Sequence, residues 1–433
     1  MATGLSIGLF FLLLFLLSLG IWVAPALIAI GYVLLEFFTP APVGSLLAST
    51  MWDASWNWAL TALPLFIWMG EILFRTRLSS DMFKGLSPML SRLPGGLLHV
   101  NVVGCGIMAA VAGSSAVTCA TIGRMSIPEL TKRKYDETLS IGSLAGSGTL
   151  GLLIPPSIML IVYGVLAQQS ISRLFIAGVL PGIMIILIFM SYISLRSIIN
   201  PSLAPREKKI YTFYEKIVAA KHLFPVIGLI FCVLGSIYGG YATPTEAATI
   251  GVCGALLLAW VTKTLNWNSF KESLMGAVKT SCMINFIIVG AAFLSVAMGY
   301  TGIPKQLGEI VNQYELSQIS LLIILTFLYI FLGCFLEGTS MMVLTASVVL
   351  PMVQTAGIDL IWFGIYTVIV VEMAQITPPV GFNLFVLQGM TGRDILKITK
   401  AAMPFFFLMM LGIVILVIFP EIVTAPVQYM IQR

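Results

Sequence analysis

The sequence predicts an all-α polytopic membrane protein made of two inverted-topology repeats, and three observations support that prediction. Of the 433 residues, 59% are hydrophobic and 9% are charged, with a mean hydropathy of +1.02. A soluble domain needs about 25% charged residues to keep its surface hydrated, so this composition excludes one. Apolar stretches of about 20 residues, each long enough to cross a bilayer, recur along the chain. Paired prolines stand at matching points of two halves, at 155–156 and 378–379.

Ten apolar stretches are predicted to be transmembrane helices. Two more, 97–122 and 319–353, are rich in Gly, Ala, Ser and Thr and are predicted to be re-entrant helical hairpins. A proline inside a helix removes a hydrogen-bond donor and costs about 3 kcal/mol, so the double prolines predict breaks in two spans, 139–168 and 361–388. The stretch 5–38 either divides at Pro25 or forms one long tilted helix. The other predicted spans are 5–22, 24–38, 56–74, 174–195, 223–241, 246–264, 280–300 and 401–419.

The positions of the basic residues test this layout. If each hairpin returns to the side it entered from, the loops on one side contain 20 of the 23 Lys and Arg residues. The positive-inside rule then places those loops in the cytoplasm and both termini on the periplasmic side. The net charge of +5 therefore describes cytoplasmic loops, and no nucleic-acid partner is expected. These loops are 75–92, 124–137, 196–222, 263–279 and 389–400.

The two halves repeat each other at a nearly constant spacing. Pro156 and Pro379 lie 223 residues apart, as do Pro181 and Pro404, and the motifs that begin at Gly113 and at 338 lie 225 apart. We therefore expect two repeats, 1–222 and 223–433. Their hairpins open on opposite sides of the membrane, so the repeats are inverted. The basic segment 196–222 is expected to join them as an amphipathic cytoplasmic arm.

Inverted repeats with broken helices are the design of many secondary transporters, whose substrate and ion sites lie near the midplane. Irregular backbone is tolerated at that depth where protein or a wet cavity surrounds it. The motifs AGSSAVT, 112–118, and EGTSMMVLT, 337–345, fall where the hairpins should turn, and their hydroxyls and freed carbonyls are suited to a hard monovalent cation. The alternative is that these small residues only tighten helix packing.

Four charged residues are each a candidate for a functional or a structural role. Glu337 adjoins the second hairpin tip, and a carboxylate in an apolar run by default marks an ion path, so it is expected to help neutralise a cation. Glu372 is the next candidate for a residue on the ion path. Alternatively, the end of a neighbouring helix satisfies the hydrogen bonding of its carboxylate. Glu246 follows Thr-Pro-Thr in a capping box and is assigned a structural role. Arg124 is suited to gripping a carboxylate substrate, or alternatively anchors the cytoplasmic face.

Enzymatic activity is not expected. The chain has no GxxxxGK[ST] motif for binding nucleotide phosphates, and its two histidines, His99 and His222, offer little for a catalytic base or a metal centre. GSGTLG at 146–151 matches GxGxxG but follows no predicted strand.

The run from GSSAVTCATIG through GTLGLLIPPSIMLIVYG to LFIAGVLPGIM, with YATPTEAA, EGTSMMVL and ITPPVGFNLFV, resembles a known family. It is similar to the large membrane subunit of tripartite ATP-independent periplasmic (TRAP) transporters, of the DctM and SiaM type. The similarity covers essentially the whole chain in order.

The resemblance implies sodium-coupled uptake of an organic acid across the bacterial inner membrane. A soluble periplasmic binding protein would deliver the acid, and a small membrane subunit of about four helices would assist as a separate chain. It also implies an elevator mechanism, in which a transport domain of the two hairpins and the two broken helices slides within the bilayer against a scaffold formed by the remaining helices.

Residue by residue, the resemblance implies two Na+ sites and a substrate site between the hairpin tips. The first Na+ site would use Ser114 and Ser115 with backbone of the break, Gly151, Ile154 and Pro155. The second would use Gly338, Thr339 and Ser340 with Thr377 and Pro378, beside the carboxylate of Glu337. The substrate-binding residues would be Ser114, Thr339, Pro156, Pro379 and Arg124.

A function other than secondary transport remains as an alternative. A channel, or the membrane component of an ATP-driven importer, is the alternative, but intramembrane breaks in inverted repeats are better suited to alternating access than to a continuous pore.

Among substrates, C4-dicarboxylates, sialic acid and other sugar or keto acids are all compatible with the resemblance, and sialic acid is slightly preferred.

Overall fold

The computed structural model describes residues 2–205, 211–303, 306, 309, 317–378 and 381–431. Every regular element in these ranges is a helix, which confirms the predicted all-α polytopic fold. Five described helices are each long and apolar enough to cross a membrane, and two bent helix pairs raise that number to seven. Shorter apolar helices, among them Leu98–Ala112 and Leu360–Ala374, form the hairpins and broken spans.

The described helices follow one another along the chain, and three of them are 3-10 helices. They are Ala2–Ser18, Val23–Phe38, Val43–Ser55, Trp58–Thr61 (3-10), Ala62–Phe74, Leu78–Leu90, Leu98–Ala112, Ser115–Lys132, Glu137–Gly148, Thr149–Leu152 (3-10), Ile158–Leu166, Ile171–Ile199, Pro201–Leu203 (3-10), Phe213–Ala220, Phe224–Tyr238, Pro244–Val261, Trp267–Thr301, Gln318–Gly333, Gly338–Thr355, Leu360–Ala374, Phe382–Thr391, Ile395–Ile418 and Glu421–Ile431.

Both predicted hairpins and both predicted broken helices are present. We call Leu98–Ala112 with Ser115–Lys132 the first hairpin, and Gln318–Gly333 with Gly338–Thr355 the second hairpin. The first broken helix is Glu137–Leu166, interrupted at 153–157, and the second is Leu360–Thr391, interrupted at 375–381. The first hairpin continues ten residues beyond its predicted end at 122, because its second helix runs on into polar sequence.

Three boundaries differ from the prediction. The stretch 5–38 forms two helices, but they separate at Gly20, whose φ is +78°, and Pro25 lies in the first turn of the second helix, where a missing N–H costs nothing. The helix Val43–Ser55, which is short and contains several Ser and Thr residues, falls in none of the predicted spans. The helix Trp267–Thr301 begins 13 residues before the predicted span 280–300, because hydropathy marks only its apolar part.

The helices pack into two groups, and each group includes helices from both repeats. The scaffold group contains Val23–Phe74 and Phe224–Thr301, whose long helices pack on one another. An added Cβ on Gly31 would lie 2.8 Å from Cδ1 of Phe293, and one on Gly290 would lie 2.9 Å from the carbonyl oxygen of Ala24. Such close backbone approach is typical of small residues at membrane helix contacts.

The hairpin group contains the two hairpins, the two broken helices, Ile171–Ile199 and Ile395–Ile418. An added Cβ on Gly178 would lie 3.0 Å from the carbonyl oxygen of Leu153, and Gly142 lies against the carbonyl of Ala401. The helices Ile171–Ile199 and Ile395–Ile418 were predicted to belong to the scaffold. Their contacts place them with the broken helices instead, because glycines on both sides allow the backbones to meet.

The two groups touch at close backbone contacts and at an edge-to-face contact between the rings of Phe66 and Phe175, and they border a cavity. An added Cβ on Gly70 of the scaffold group would lie 3.0 Å from Cα of Ala112 in the first hairpin. In the second hairpin, Oγ of Ser347 lies 3.7 Å from Sδ of Met298 in the scaffold group. A cavity of about 570 Å³ lies beside this second contact, with Asp53 and Asn57 on the scaffold side and Gln168 and Gln354 on the hairpin side.

Candidate functional site

The first hairpin turns at a tip of three small residues. The helix Leu98–Ala112 ends at Gly113, whose φ of +59° is a left-handed conformation that glycine adopts without strain. Ser114 is extended and precedes the helix Ser115–Lys132 without capping it through its side chain. The Ser114 hydroxyl is therefore not used as a helix cap.

The first break interrupts the helix that follows this hairpin in the chain. The 3-10 turn Thr149–Leu152 ends the first helical half, and the second half begins at Ile158. Between them, the Pro155–Pro156 peptide bond is cis. Ser157 caps the second half: its Oγ accepts a hydrogen bond from the Leu160 N–H at 3.3 Å and donates one to the Leu152 carbonyl. The break thus has an ordered cap, as expected for a functional interruption.

The first tip and the first break are in direct contact. An added Cβ on Gly151 would lie 2.5 Å from Cα of Ser115 and 2.6 Å from the Ser114 carbonyl oxygen. One on Gly113 would lie 3.1 Å from the carbonyl oxygen of Pro156. The predicted residues Ser114, Ser115, Gly151 and Pro156 are therefore brought together by backbone approach that only glycine permits.

Two other predicted residues of this site point their side chains elsewhere. Ile154 packs against Gly182, where an added Cβ would lie 2.7 Å from its Cγ1, and Cγ of Pro155 would lie 3.4 Å from a Cβ on Gly178. Both glycines belong to the helix Ile171–Ile199. Ile154 and Pro155 could therefore serve a cation only through their carbonyl oxygens, as the prediction stated.

The second tip is organised by Glu337. Its carboxylate accepts hydrogen bonds from the N–H groups of Thr339 at 3.1 Å and Ser340 at 3.2 Å, and from the hydroxyls of the same residues at 2.9 and 3.3 Å. It is therefore the N-cap of Gly338–Thr355, a role that the sequence analysis did not assign. The contact brings Glu337, Thr339 and Ser340 together, with negative charge at the tip.

The second break contacts the second tip, as the first break contacts the first. The Cys334 thiol donates to the Pro378 carbonyl at 3.2 Å, and the Gln375 side-chain amide donates to the Leu336 carbonyl at 3.4 Å. Within the break, Gly381 N–H donates to the Thr377 carbonyl at 3.0 Å. The predicted residue Pro379 lies outside the described residues.

The repeat spacing recurs in these contacts. Gly333, at the end of a hairpin helix, lies against Ala374, the last residue before the second break. Ala374 is 223 residues after Gly151, the spacing that separates the two double prolines. Equivalent positions of the two repeats therefore each pack against the hairpin of their own repeat, Gly151 at the tip and Ala374 at the last helical residue before it.

The two tip-and-break pairs also meet each other. Ser115 of the first tip donates a hydrogen bond to Oε1 of Glu372, which belongs to the second broken helix and is fully buried. An added Cβ on Gly338 would lie 2.9 Å from Cγ1 of Val371 and 3.7 Å from Cδ1 of Leu152. All four irregular segments therefore converge on one buried region.

Sequence reasoning gave too little weight to some residues here. Glu372 was recognised as a candidate, but its contact with Ser115 joins residues 257 positions apart and has no local signal. Asn383 is buried, and neither its side-chain oxygen nor its nitrogen has a hydrogen-bond partner among the described residues. Thr118 is also buried, and its hydroxyl has no partner there. Neither residue belongs to a motif that the sequence marks as functional.

Arg124 lies away from the tips. It is nine residues beyond Ser115, about 14 Å along the helix at 1.5 Å per residue, and it is exposed. Its guanidinium carbon is 4.9 Å from the ring centroid of Phe74, in a cation–π contact with the scaffold group. The structure therefore does not bring Arg124 together with the other predicted substrate-binding residues.

The donor set is suited to a hard monovalent cation. In the described ranges, no three His, Cys, Asp or Glu side chains cluster as a transition-metal site requires. The region instead offers backbone carbonyls, hydroxyls of Ser and Thr, and two separate carboxylates. Oxygen ligands of this kind are those preferred by hard cations. The unpartnered Oε2 of Glu372 is a buried acceptor that such an ion would satisfy.

Comparison with known proteins places this geometry in a family context. The profile of the family described as "Tripartite ATP-independent periplasmic transporter, DctM component" matches residues 10–422. The C4-dicarboxylate TRAP transporter large permease protein of Pseudomonas aeruginosa is 30% identical over 395 residues, which cover 90% of this chain and 91% of that protein.

A longer relative is also similar. The isethionate TRAP transporter permease protein DctMQ of Oleidesulfovibrio alaskensis is 32% identical over 403 residues, covering 91% of this chain. The aligned region is 63% of that protein, so this chain spans under two thirds of its length.

A solved structure shares the fold. The YdaH transporter of Alcanivorax borkumensis superposes with a TM-score of 0.63, covering 88% of this chain and 89% of that chain at 14% sequence identity. At that identity the likeness concerns the fold.

Proposed function

The chain belongs to the DctM family of tripartite ATP-independent periplasmic transporters, and we propose that it takes up an organic acid together with sodium. One observation carries the proposal: two hairpin tips and two helix breaks, one pair from each repeat, converge on a single buried region. Convergence of this kind near the midplane is the arrangement of ion and substrate sites in secondary transporters.

Helix ends explain why such a region would bind both an anion and cations. The helices Ser115–Lys132, Gly338–Thr355, Ile158–Leu166 and Phe382–Thr391 all begin at a tip or a break. Their N-terminal N–H groups favour a carboxylate. The preceding helices end at the same places, and their C-terminal carbonyls favour Na+. The proposed Na+ sites are therefore Ser114, Ser115 and Gly151 at one pair, and Glu337 to Ser340 with Thr377 and Pro378 at the other.

Sodium coupling follows from charge balance. A substrate carboxylate beside the Glu337 and Glu372 carboxylates would be repelled unless cations were bound nearby. Bound Na+ ions remove that repulsion, so substrate would bind tightly only to the sodium-loaded protein. This dependence is the thermodynamic basis of coupling, since each ligand raises the affinity for the other by the same factor.

The division into two helix groups supports an elevator mechanism. The hairpin group carries the whole candidate site. The scaffold group meets it at close backbone contacts, such as Gly70 with Ala112, and at aromatic contacts, such as Phe66 with Phe175. We therefore propose that the hairpin group moves as one body along the scaffold group and carries the site across the bilayer.

The substrate class is narrowed by relatives and by chemistry. The similar permease of Pseudomonas aeruginosa is named for C4-dicarboxylates, so these acids are the first class to test, with sialic acid as the second. Both carry a carboxylate that the converging helix N-termini would receive. Arg124 belongs to the hairpin group and lies about 14 Å along its helix from Ser115, so it is left out of the proposed substrate site.

Two protein partners complete the proposed complex. The family description names a tripartite periplasmic system. We propose a periplasmic binding protein that delivers the acid, and a small membrane subunit of about four helices supplied as a separate chain. The complex would reside in the bacterial inner membrane with the basic loops in the cytoplasm.

Reconstitution tests this function. The chain is inserted into proteoliposomes with its small subunit, and the binding protein and labelled acid are added outside. Uptake is expected to require both partners and an inward sodium gradient. Uptake that proceeds equally without sodium when ATP is supplied would instead support a membrane component of an ATP-driven importer, and passive flux without the binding protein would support a channel.

A further inference from the structure

The carboxylate of Glu372, in the second repeat, contacts the first repeat within the candidate site. It lies in the second broken helix, two residues before Ala374, and is 0% exposed. Its Oε1 accepts the hydrogen bond of Ser115, in the first hairpin tip. The backbone of Leu152, in the 3-10 turn before the first break, also lies within hydrogen-bonding range of this carboxylate. The side chain therefore reaches from the second repeat into the first tip-and-break pair.

The other oxygen of this carboxylate has no partner. Oε2 of Glu372 is buried and makes no hydrogen bond in the described part of the chain. No Lys, Arg or His pairs with it there. The charged group whose field reaches it is another carboxylate, Glu337, which already caps a helix. Other charged residues of the packing helices stand near helix ends: Arg173, Arg196, Lys397, Lys400 and Glu421.

A buried carboxylate of this kind needs compensation. Removing a carboxylate from water costs several kcal/mol unless opposite charge and hydrogen bonds replace its hydration. The Ser115 hydroxyl and the Leu152 backbone N–H are the hydrogen-bond donors within reach, and no Lys, Arg or His of the described residues supplies the charge. The oxygen of the Ser115 hydroxyl is itself able to coordinate a cation. The environment is therefore matched to a bound cation rather than to a protein ion pair.

We propose that Oε2 of Glu372 is a ligand of the cation held at the first tip, completing from the second repeat a site otherwise built from the first. This inference rests on the proposed sodium coupling and adds to it a ligand from across the repeat boundary. Glu372 stands on the helix that leads into the second break, so a cation drawn to it also positions the backbone of the second site. Filling the first site then favours filling the second.

The test is sodium binding by the purified protein, measured without transport. Labelled sodium binding and sodium-dependent thermal stabilisation are recorded against choline at constant ionic strength. Glu372→Gln keeps the size and the acceptor for Ser115 but removes the charge, and it is expected to raise the sodium concentration for half-maximal binding at least tenfold. Glu372→Asp keeps the charge on a shorter arm, and a smaller rise is expected.

Controls separate the possible failures. Glu246→Gln, the same change at an exposed capping box, is expected to bind sodium as the unmodified protein does. If the unmodified protein binds no sodium, the proposed function is overturned. If it binds sodium and Glu372→Gln binds equally well, only the inference about Glu372 is overturned. Should Glu372→Gln not elute as a folded species, Glu372→Asp decides, and an unchanged affinity there contradicts the proposal.

Discussion

At the scale of single residues, the candidate site depends on a glycine that leaves no room for a side chain. Gly151 lies so close to Ser114 and Ser115 that the tip and break backbones are in contact. Gly151→Ala is therefore expected to push the tip away from the break, destabilise the protein by about 1–3 kcal/mol and raise the sodium concentration for half-maximal uptake. Thermal unfolding in detergent and sodium titration of uptake measure the two effects.

A matched glycine provides the control. Gly228 lies in Phe224–Tyr238 with nothing within 4 Å of an added Cβ, so Gly228→Ala should leave both quantities unchanged or slightly improve stability. If Gly151→Ala behaved like Gly228→Ala, the close tip-to-break contact would be refuted.

The two tips can be distinguished by their side chains. Ser115→Ala removes a hydroxyl, and Glu337→Ala removes a charge together with a helix cap worth about 1 kcal/mol. Both are expected to raise the sodium concentration for half-maximal uptake. Glu337→Gln keeps a capping oxygen but loses the charge, so it should restore stability without restoring sodium affinity. Full recovery of sodium affinity in Glu337→Gln would show that Glu337 acts only as a cap.

Residue-level prediction from sequence succeeded where a residue breaks a local rule. Double prolines inside apolar runs predicted both breaks, and small residues between apolar runs predicted both tips. It was weaker for features that depend on packing, namely the pairing of Ser115 with Glu372 and the burial of Asn383. The cap at Glu337 is a local contact that it overlooked. It also assigned Arg124 to the substrate site, but Arg124 lies nine residues along the helix from Ser115 and contacts Phe74 of the scaffold group.

At the scale of elements, hydropathy found the spans but not their ends. It marks only the apolar part of a helix, so Trp267–Thr301 was predicted 13 residues too short at its start. It also missed Val43–Ser55, which is too polar and short to be read as a span. The assignment of Ile171–Ile199 and Ile395–Ile418 to the scaffold was wrong because glycine contacts, which only the folded chain reveals, join them to the broken helices.

Movement between the helix groups can be tested by crosslinking. Met298 and Ser347 touch across the boundary at 3.7 Å, so cysteines at both positions should be joined by a short bis-thiosulfonate reagent in a background without native cysteines. Uptake is expected to stop after crosslinking and return on reduction, because the hairpin group is then tied to the scaffold group.

A pair inside one group serves as the comparison. Met69 and Gly251 both belong to the scaffold group, where an added Cβ on Gly251 would lie 2.5 Å from the Met69 sulfur. Crosslinked cysteines there should leave uptake intact. Undiminished uptake by the crosslinked 298–347 pair would rule out relative movement at that contact.

At the scale of the whole molecule, the repeat predicted more than the individual spans did. A spacing of 223 residues between the double prolines predicted two breaks at matching positions, and Gly151 and Ala374 each pack against the hairpin of their own repeat. The same repeat predicts that ion binding is paired, with one cation for each tip and break. Because the pairs meet through Glu372 and Gly338, the two binding events are expected to be cooperative.

The initial rate of uptake as a function of external sodium tests this account most directly. The complete complex in proteoliposomes is given a fixed substrate and binding-protein concentration, with choline replacing sodium. We predict no uptake without sodium and a sigmoidal rise with a Hill coefficient above one, as paired cooperative sites require. Uptake at full rate in the absence of sodium would contradict the account.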